Sequence, residues 1–173
     1  MSAFREIAPL ELTDNVFRLI EQDWMLVTAG NRQSCNAMTA SWGGFGILWH
    51  RPVAYCVVRP TRLTYELLEA WETFTLSFFP EQYRSALEIC GSRSGRDGDK
   101  FAEARITPIE DRPGLVYFEE ARLVLECRKV YIHDLNPDGF MDPSLADFYP
   151  NRDYHRMYIG EITRCLAKVE QAG

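Results

Sequence analysis

Apolar and polar positions alternate along much of this chain, and a period of two is the pattern of strands. Trp24 to Ala29 sets Trp24, Leu26 and Thr28 against Met25, Val27 and Ala29, and Gly30-Asn31 ends the run as a turn. Ser34 to Ser41 is the next strand, so the two read as a hairpin. Val53 to Val58 is apolar on both faces, as in a barrel strand covered on both sides. Thr73 to Phe79 alternates Phe74, Leu76 and Phe78 with Thr73, Thr75 and Ser77, a half-buried strand. Leu115 to Ile132 is strand material broken near Glu119-Glu120, and Tyr154 to Lys168 is a last strand. A short strand is expected over Val16 to Ile20, after an extended arm at 1–13.

The period lengthens in three places. Leu63 to Trp71 puts Leu63, Leu67, Leu68 and Trp71 on one side of a helix. Pro80 opens a second helix, where proline is tolerated in the first turn, with Tyr83, Ala86, Leu87 and Cys90 as its buried face. Asp99 to Ala104 reads as a short helix. Gly91 to Gly98 is a polar, charged loop, and Asn136 to Asn151, rich in Pro, Asp and Gly, is a long surface loop. Many strands, few helices and no strand–helix rhythm predict a mainly β, antiparallel, Greek-key-like barrel with a few connecting helices. A doubly wound sheet fits poorly. At 173 residues the chain is most simply one domain, 1–173.

Charge and cysteine usage narrow the function. A net charge of −6 argues against nucleic-acid and membrane-surface roles, which need a basic face. No apolar run reaches the length of a membrane span, and the N-terminal stretch lacks the apolar core of a signal peptide. Cys35, Cys56, Cys90, Cys127 and Cys165 are odd in number and widely spaced, so they read as buried thiols in a reducing, cytoplasmic compartment. Without a Cys-x-x-Cys pair or a His cluster, no metal site is expected.

The chemistry concentrates between Asn36 and Tyr65. Thr39, Ser41, Gly43, Gly44 and Gly46 sit beside Trp42, Phe45 and Trp49. Glycines let backbone approach a ligand closely and free its N–H donors. Gly43-Gly44-Phe45-Gly46 does not have the spacing of a dinucleotide fingerprint. Arg59 and Arg62 precede Thr64 and Glu66, the expected first turn of a helix, where cations and backbone N–H groups favour a phosphate or carboxylate. The Asn36 amide both donates and accepts, which suits a ring edge carrying N–H and C=O groups. Ser92, Ser94, Arg96 and Lys100 gather further polar groups in the later loop. Each has a plainer reading: aromatics as core, arginines as solvated charge, Met38 as packing. An aromatic floor, close backbone and an anion site together suggest a flat cofactor with a phosphate tail.

These residues resemble the flavin reductase-like family, the FMN-binding split barrels that include the flavoredoxins. The resemblance rests on Asn36, Met38, Thr39, Ser41 and Trp42, then Trp49, Pro52 and Val53, then Arg59, Arg62 and Thr64, and finally CGSRSGRDGDKF at Cys90 to Phe101. It spans about Val16 to Ile162. It implies FMN as cofactor, held by Asn36, Met38, Thr39, Ala40, Ser41, Trp42, Arg59, Arg62, Thr64, Ser92, Ser94, Arg96 and Lys100. It also implies that the later loop closes over the flavin and that His155, just before MYIGEI, lies near the flavin face. His50 and His133 are left as structural. The expected activity is an oxidoreductase passing hydride from NAD(P)H through FMN to a flavin or redox-protein acceptor, in a homodimer. The alternatives are a non-enzymatic FMN electron carrier docking to a redox partner and a module of similar barrel shape that holds a different ligand, or none.

Overall fold

The computed structural model describes residues 4–169. The strands are β1 (Phe4–Ile7), β2 (Met25–Asn31), β3 (Ser34–Ala40), β4 (Gly43–Leu48), β5 (Arg51–Val58), β6 (Thr73–Phe78), β7 (Pro108–Arg112), β8 (Leu115–Phe118), β9 (Leu123–Asp134) and β10 (Arg156–Lys168). The helices are α1 (Val16–Arg18), α2 (Leu63–Ala70), α3 (Arg84–Ser92) and α4 (Lys100–Ala104). The main sheet runs β3-β2-β6-β9-β10-β5-β4, antiparallel at every pairing, with β1 on the C-terminal half of β10. Its two ends, β3 and β4, are consecutive in the chain and joined only by Ser41-Trp42. The sheet therefore curls round on itself, and no ladder between described residues joins the two ends. This is the split barrel that the strand pattern and the resemblance predict.

Two apolar clusters lie on either side of the sheet. The barrel interior holds Met25, Val27, Ala54, Cys56, Phe74, Leu76, Phe78, Leu125 and Tyr158. The outer face of β2, β6 and β9 carries Leu26 and Val124 and is covered by α3, α4 and the β7–β8 hairpin through Leu87, Cys90, Tyr117 and Phe118. β10 bends where it crosses the interior, with register shifts at Ile159/Gly160 and Ile162/Arg164. A Cβ at Gly160 would lie 2.7 Å from Cys127 and 2.8 Å from the Phe74 ring, so only glycine fits there.

Several sequence expectations change. Val16 to Ile20 is not a strand but helical: Asn15 caps α1 through Arg18 N at 3.2 Å, and a π-helical turn, Leu19–Asp23, follows. Its apolar spacing buries Leu19 and Ile20, a choice that a five-residue run could not settle. Trp24 stands outside β2 at φ 66°, its ring under the Arg84 guanidinium at 4.2 Å. Gly30 and Asn31 extend the hairpin ladder opposite Cys35 and Ser34, and Arg32-Gln33 makes the turn, held by the Asn31 side chain. β6 is buried on both faces rather than half-buried, because the β7–β8 hairpin covers its hydroxyl side. Thr75 donates to the Val116 carbonyl at 2.5 Å and Thr73 to that of Gly114 at 2.8 Å. β7 was not anticipated, as Pro108–Arg112 is mostly polar. α3 runs on to Ser92, so the polar loop begins at Arg93. Within the expected arm, 4–7 is β1 and the first three residues lie outside the described ones.

Candidate functional site

Two adjoining clefts open where β3 ends and β5 passes into α2. The first, about 210 Å³, is lined by Met38, Thr39, Ala40, Ser41, Trp42, Val57, Arg59, Arg62 and His155. The second, about 110 Å³, is lined by Asn36, Thr64, Ser92, Ser94, Gly95, Arg96 and Lys100 among others, and shares Met38 and Arg62 with the first. Every residue singled out from the sequence as cofactor-binding lines one cleft or both. The glycine run and two of its aromatics do not. Gly44 lies against the Tyr55 ring, Phe45 packs on Phe78 at 6.3 Å, and Trp49 sits on the exposed β4–β5 turn at φ 52°.

The second cleft is built around buried polar contacts. Asn36 Nδ2 donates to Thr64 Oγ1 at 2.7 Å, joining β3 to the first turn of α2. Gly95 lies directly on Asn36: a Cβ there would meet Asn36 Oδ1 at 2.3 Å. The Thr39 hydroxyl donates to the Leu87 carbonyl of α3, and Arg62 Nη1 donates to the Gly91 carbonyl at 3.1 Å. These contacts draw β3, α2, α3 and the Arg93–Asp99 loop together. Asp99 caps α4 through Phe101 N and Ala102 N and so sets Lys100 facing inward.

Lys100 is 5% exposed, and the hydrogen bond from its Nζ goes to the Arg93 carbonyl at 3.5 Å. An ammonium carries three donors. Burial pushes it below the ordinary lysine range, and the Arg62 charge adds to that. Arg96 is paired with Glu66, and Arg93 with Glu103 at 3.4 Å. No carboxylate among the described residues pairs with Arg62 or Lys100. The cleft thus holds two uncompensated cations at the N-terminus of an eight-residue helix.

The first cleft is flatter and aromatic. Trp42 lies 5.2 Å from the His155 ring and 5.4 Å from Phe148. His155 is 8% exposed, with Nδ1 2.8 Å from the Tyr149 hydroxyl. Burial, together with the Arg59 charge, holds its imidazole down at about 4, so it is neutral at physiological pH. Arg59 already has partners: Asp153 at 2.8 Å, the Phe148 carbonyl at 2.8 Å, and the Tyr149 ring at 4.9 Å. It fastens the 143–153 segment to the cleft wall. Phe148, Tyr149 and Asp153 are the site residues that sequence reading missed, since the first two fall in the stretch read as a surface loop and Asp153 lies just beyond it. The signal was there: Phe140, Phe148, Tyr149 and Tyr154 are too many large aromatics for a solvated loop.

One cleft offers cationic and N–H donors, the other a flat aromatic wall with a neutral imidazole, and the two share a side. That arrangement suits an elongated ligand with an anionic end and a planar ring. The fold is a split barrel with two adjoining clefts where β3 ends and β5 passes into α2. The chain belongs to the family described as flavin reductase like domain, whose sequence model matches residues 17–172. Similar solved structures include an FMN-binding domain of a flavin reductases-like enzyme from Shewanella baltica, 17% identical, TM-score 0.67, covering 95% of this chain and 77% of that one. The flavoredoxin of Desulfovibrio vulgaris is 23% identical, TM-score 0.64, covering 83% and 68%. An NADH:FAD oxidoreductase of Streptomyces globisporus, in complex with NAD and FAD fragments, is 16% identical, TM-score 0.64, covering 87% and 78%. No curated protein matches this chain. No helix among the described residues is long and apolar enough to cross a membrane.

Proposed function

We propose that this protein binds FMN across the two clefts and works as a flavin reductase-type oxidoreductase with NAD(P)H as donor. The observation that carries the reading is Lys100: a buried ammonium without a carboxylate partner, beside an equally uncompensated Arg62, in a cleft continuous with an aromatic one. Burying an ammonium without a partner is costly, and an anionic ligand removes that cost. Lys100, Arg62 and the first-turn N–H groups of α2 would hold the phosphate, with Ser94 beside them. Trp42 and the Thr39–Ser41 backbone would face the ring, and Asn36 and Thr64 would fix the wall between.

Bound FMN would supply the redox chemistry, accepting a hydride from reduced nicotinamide and releasing two electrons to a flavin or redox-protein acceptor. The chain's own part is to bind, orient and adjust charge. Lys100, Arg62 and Ser94 would fix the phosphate end, and the neutral His155 would add no positive charge beside Trp42. The test is direct. The purified protein should take up FMN with a yellow absorbance, and NADH or NADPH should bleach it. A preparation that takes up no added FMN would overturn the reading. A flavoredoxin stands among the similar structures, so an electron carrier is the second reading. FMN uptake without bleaching by either nicotinamide would favour it.

The protein is also proposed to be a homodimer. Ile47, Leu48, Trp49, Tyr131 and Ile132 expose large apolar surface along β4 and β9, with Trp49 and Tyr131 6.3 Å apart. Such a patch is the usual sign of a partner surface, and a two-fold copy is the commonest closed solution. All five cysteines are free thiols, in keeping with the cytoplasm.

A further inference from the structure

The pairing of His155 with Tyr149 fixes more than a ring position. The Tyr149 ring is held on three sides, by Phe140 at 5.9 Å, Tyr154 at 4.9 Å and the Arg59 guanidinium at 4.9 Å. It is 6% exposed, and the described residues give its hydroxyl no partner other than His155 Nδ1 at 2.8 Å. Two arrangements of the proton are available. If Nδ1–H donated to the phenol oxygen, the phenol hydrogen would be left without an acceptor in a buried place. If the phenol donates to Nδ1, the donor left over is instead the N–H on the far side of the imidazole, on a ring that lines the open cleft where water or a ligand can accept from it, whereas Tyr149 lines neither cleft. The neutral ring then carries its hydrogen on Nε2, which has no protein partner among the described residues.

The charges around the ring act in the same direction. Arg59 and Arg62 are cations, and the carboxylate that the described residues set near the ring, Asp153, is already paired with Arg59 at 2.8 Å. A protonated ring would meet two cations and little compensation. Burial disfavours it further.

The geometry points to Tyr149 as a positioning residue that locks His155 in the neutral Nε2–H tautomer, so that the cleft offers one N–H donor beside Trp42 to a carbonyl oxygen on a planar ligand. The choice of a planar ligand rests on the flavin reading above; the tautomer does not. The donor differs in kind from Lys100 and Arg62. It carries no charge, so it can meet a neutral carbonyl without adding positive charge there, while Lys100 and Arg62 supply the charge at the other end of an elongated ligand.

The test begins with ¹⁵N-labelled protein to which no flavin is added. Long-range ¹H–¹⁵N correlation spectra report each imidazole tautomer. The sequence has three histidines, and His155→Gln assigns the one in question. The expected result is a protonated Nε2 and a bare Nδ1 from pH 6 to pH 8. In Tyr149→Phe the two nitrogens should move toward a tautomer mixture, and the titration midpoint should rise. A wild-type Nδ1–H tautomer, or an unchanged spectrum in Tyr149→Phe, would overturn the proposal. The wild-type spectrum decides even if the variant fails to fold. The donor role is read in the same flavin-free protein, where the cleft is open to a probe, by titrating p-hydroxybenzaldehyde against p-cresol, which lacks the carbonyl, with FMN uptake measured separately. His155→Phe should lose about tenfold in aldehyde affinity, the scale of one hydrogen bond, with p-cresol unaffected. A wild-type protein with no preference for the aldehyde would overturn the donor role. Failure to take up FMN would instead refute the flavin reading and leave the tautomer result standing.

Discussion

Replacing Lys100 by Met separates a ligand-binding lysine from a structural one. Methionine keeps most of the length and apolar stem but removes the ammonium. In the protein without ligand that ammonium is 5% exposed and bonded to one carbonyl at 3.5 Å, the long limit of a hydrogen bond. It is poorly compensated, so its removal should leave stability unchanged or raise it. FMN binding should behave in the opposite way. Losing one charged hydrogen bond costs about 1.5–3 kcal/mol, or roughly 10- to 150-fold in affinity. Riboflavin, which lacks the phosphate, should lose far less. The pH dependence follows from the direction of the shift. Lys100 titrates lower in the folded chain than in the unfolded chain, so between those two values the unfolded state binds more protons. Stability should therefore rise with pH across that window, and the Lys100→Met protein should lose this rise. FMN affinity should fall as pH climbs through the folded-state value, in wild type only. Chemical denaturation and flavin fluorescence quenching across pH 7–10.5 measure both. A variant that loses stability by more than about 2 kcal/mol while binding FMN normally would refute the reasoning, since that is the signature of a satisfied structural cation.

Trp42→Ala removes ring contact but no charge, so it should weaken oxidised and reduced FMN by a similar factor and leave the midpoint potential unchanged; spectroelectrochemistry would show otherwise if Trp42 adjusts the redox balance. Gly95→Ala should push Asn36 Oδ1 away from its 2.3 Å clash, loosen the Asn36–Thr64 bond and cost about 1–3 kcal/mol of stability, read by denaturant unfolding. Folded-state stability should fall as pH drops from about 6.5, the ordinary histidine value, toward about 4, because buried His155 resists the proton that the unfolded chain accepts; His155→Gln should flatten that part of the profile. Trp49→Asp places a charge on the exposed apolar face and should convert a dimer to a monomer in sedimentation velocity, whereas a wild-type protein that already sediments as a monomer would remove the dimer from the account.

Strand and helix periods along the chain fixed the fold class. β2, β3, β5, β6, β9 and β10 were all legible, because a two-residue period or a short apolar run survives any tertiary context. The candidate site was legible for a different reason. Asn36 to Trp42, Arg59 to Thr64 and Ser92 to Lys100 are local stretches whose residue types each suggest a ligand, and the fold brings all three to one seam. The sequence could not show which charges remain free there. Arg59 and Arg62 look alike three positions apart, yet Arg59 pairs with Asp153, ninety-odd residues on, while Arg62 donates to the Gly91 carbonyl and meets no carboxylate among the described residues. Nor could it show that β6 is covered on its hydroxyl face by a hairpin some forty residues away, or that a Pro- and Asp-rich loop returns to set Phe148 on Trp42 and Tyr149 on His155. Periodicity reports which side of an element is apolar. Which distant segment covers that side, and which charge finds a partner, depends on contacts between residues far apart in the chain, and only the closed barrel decides those.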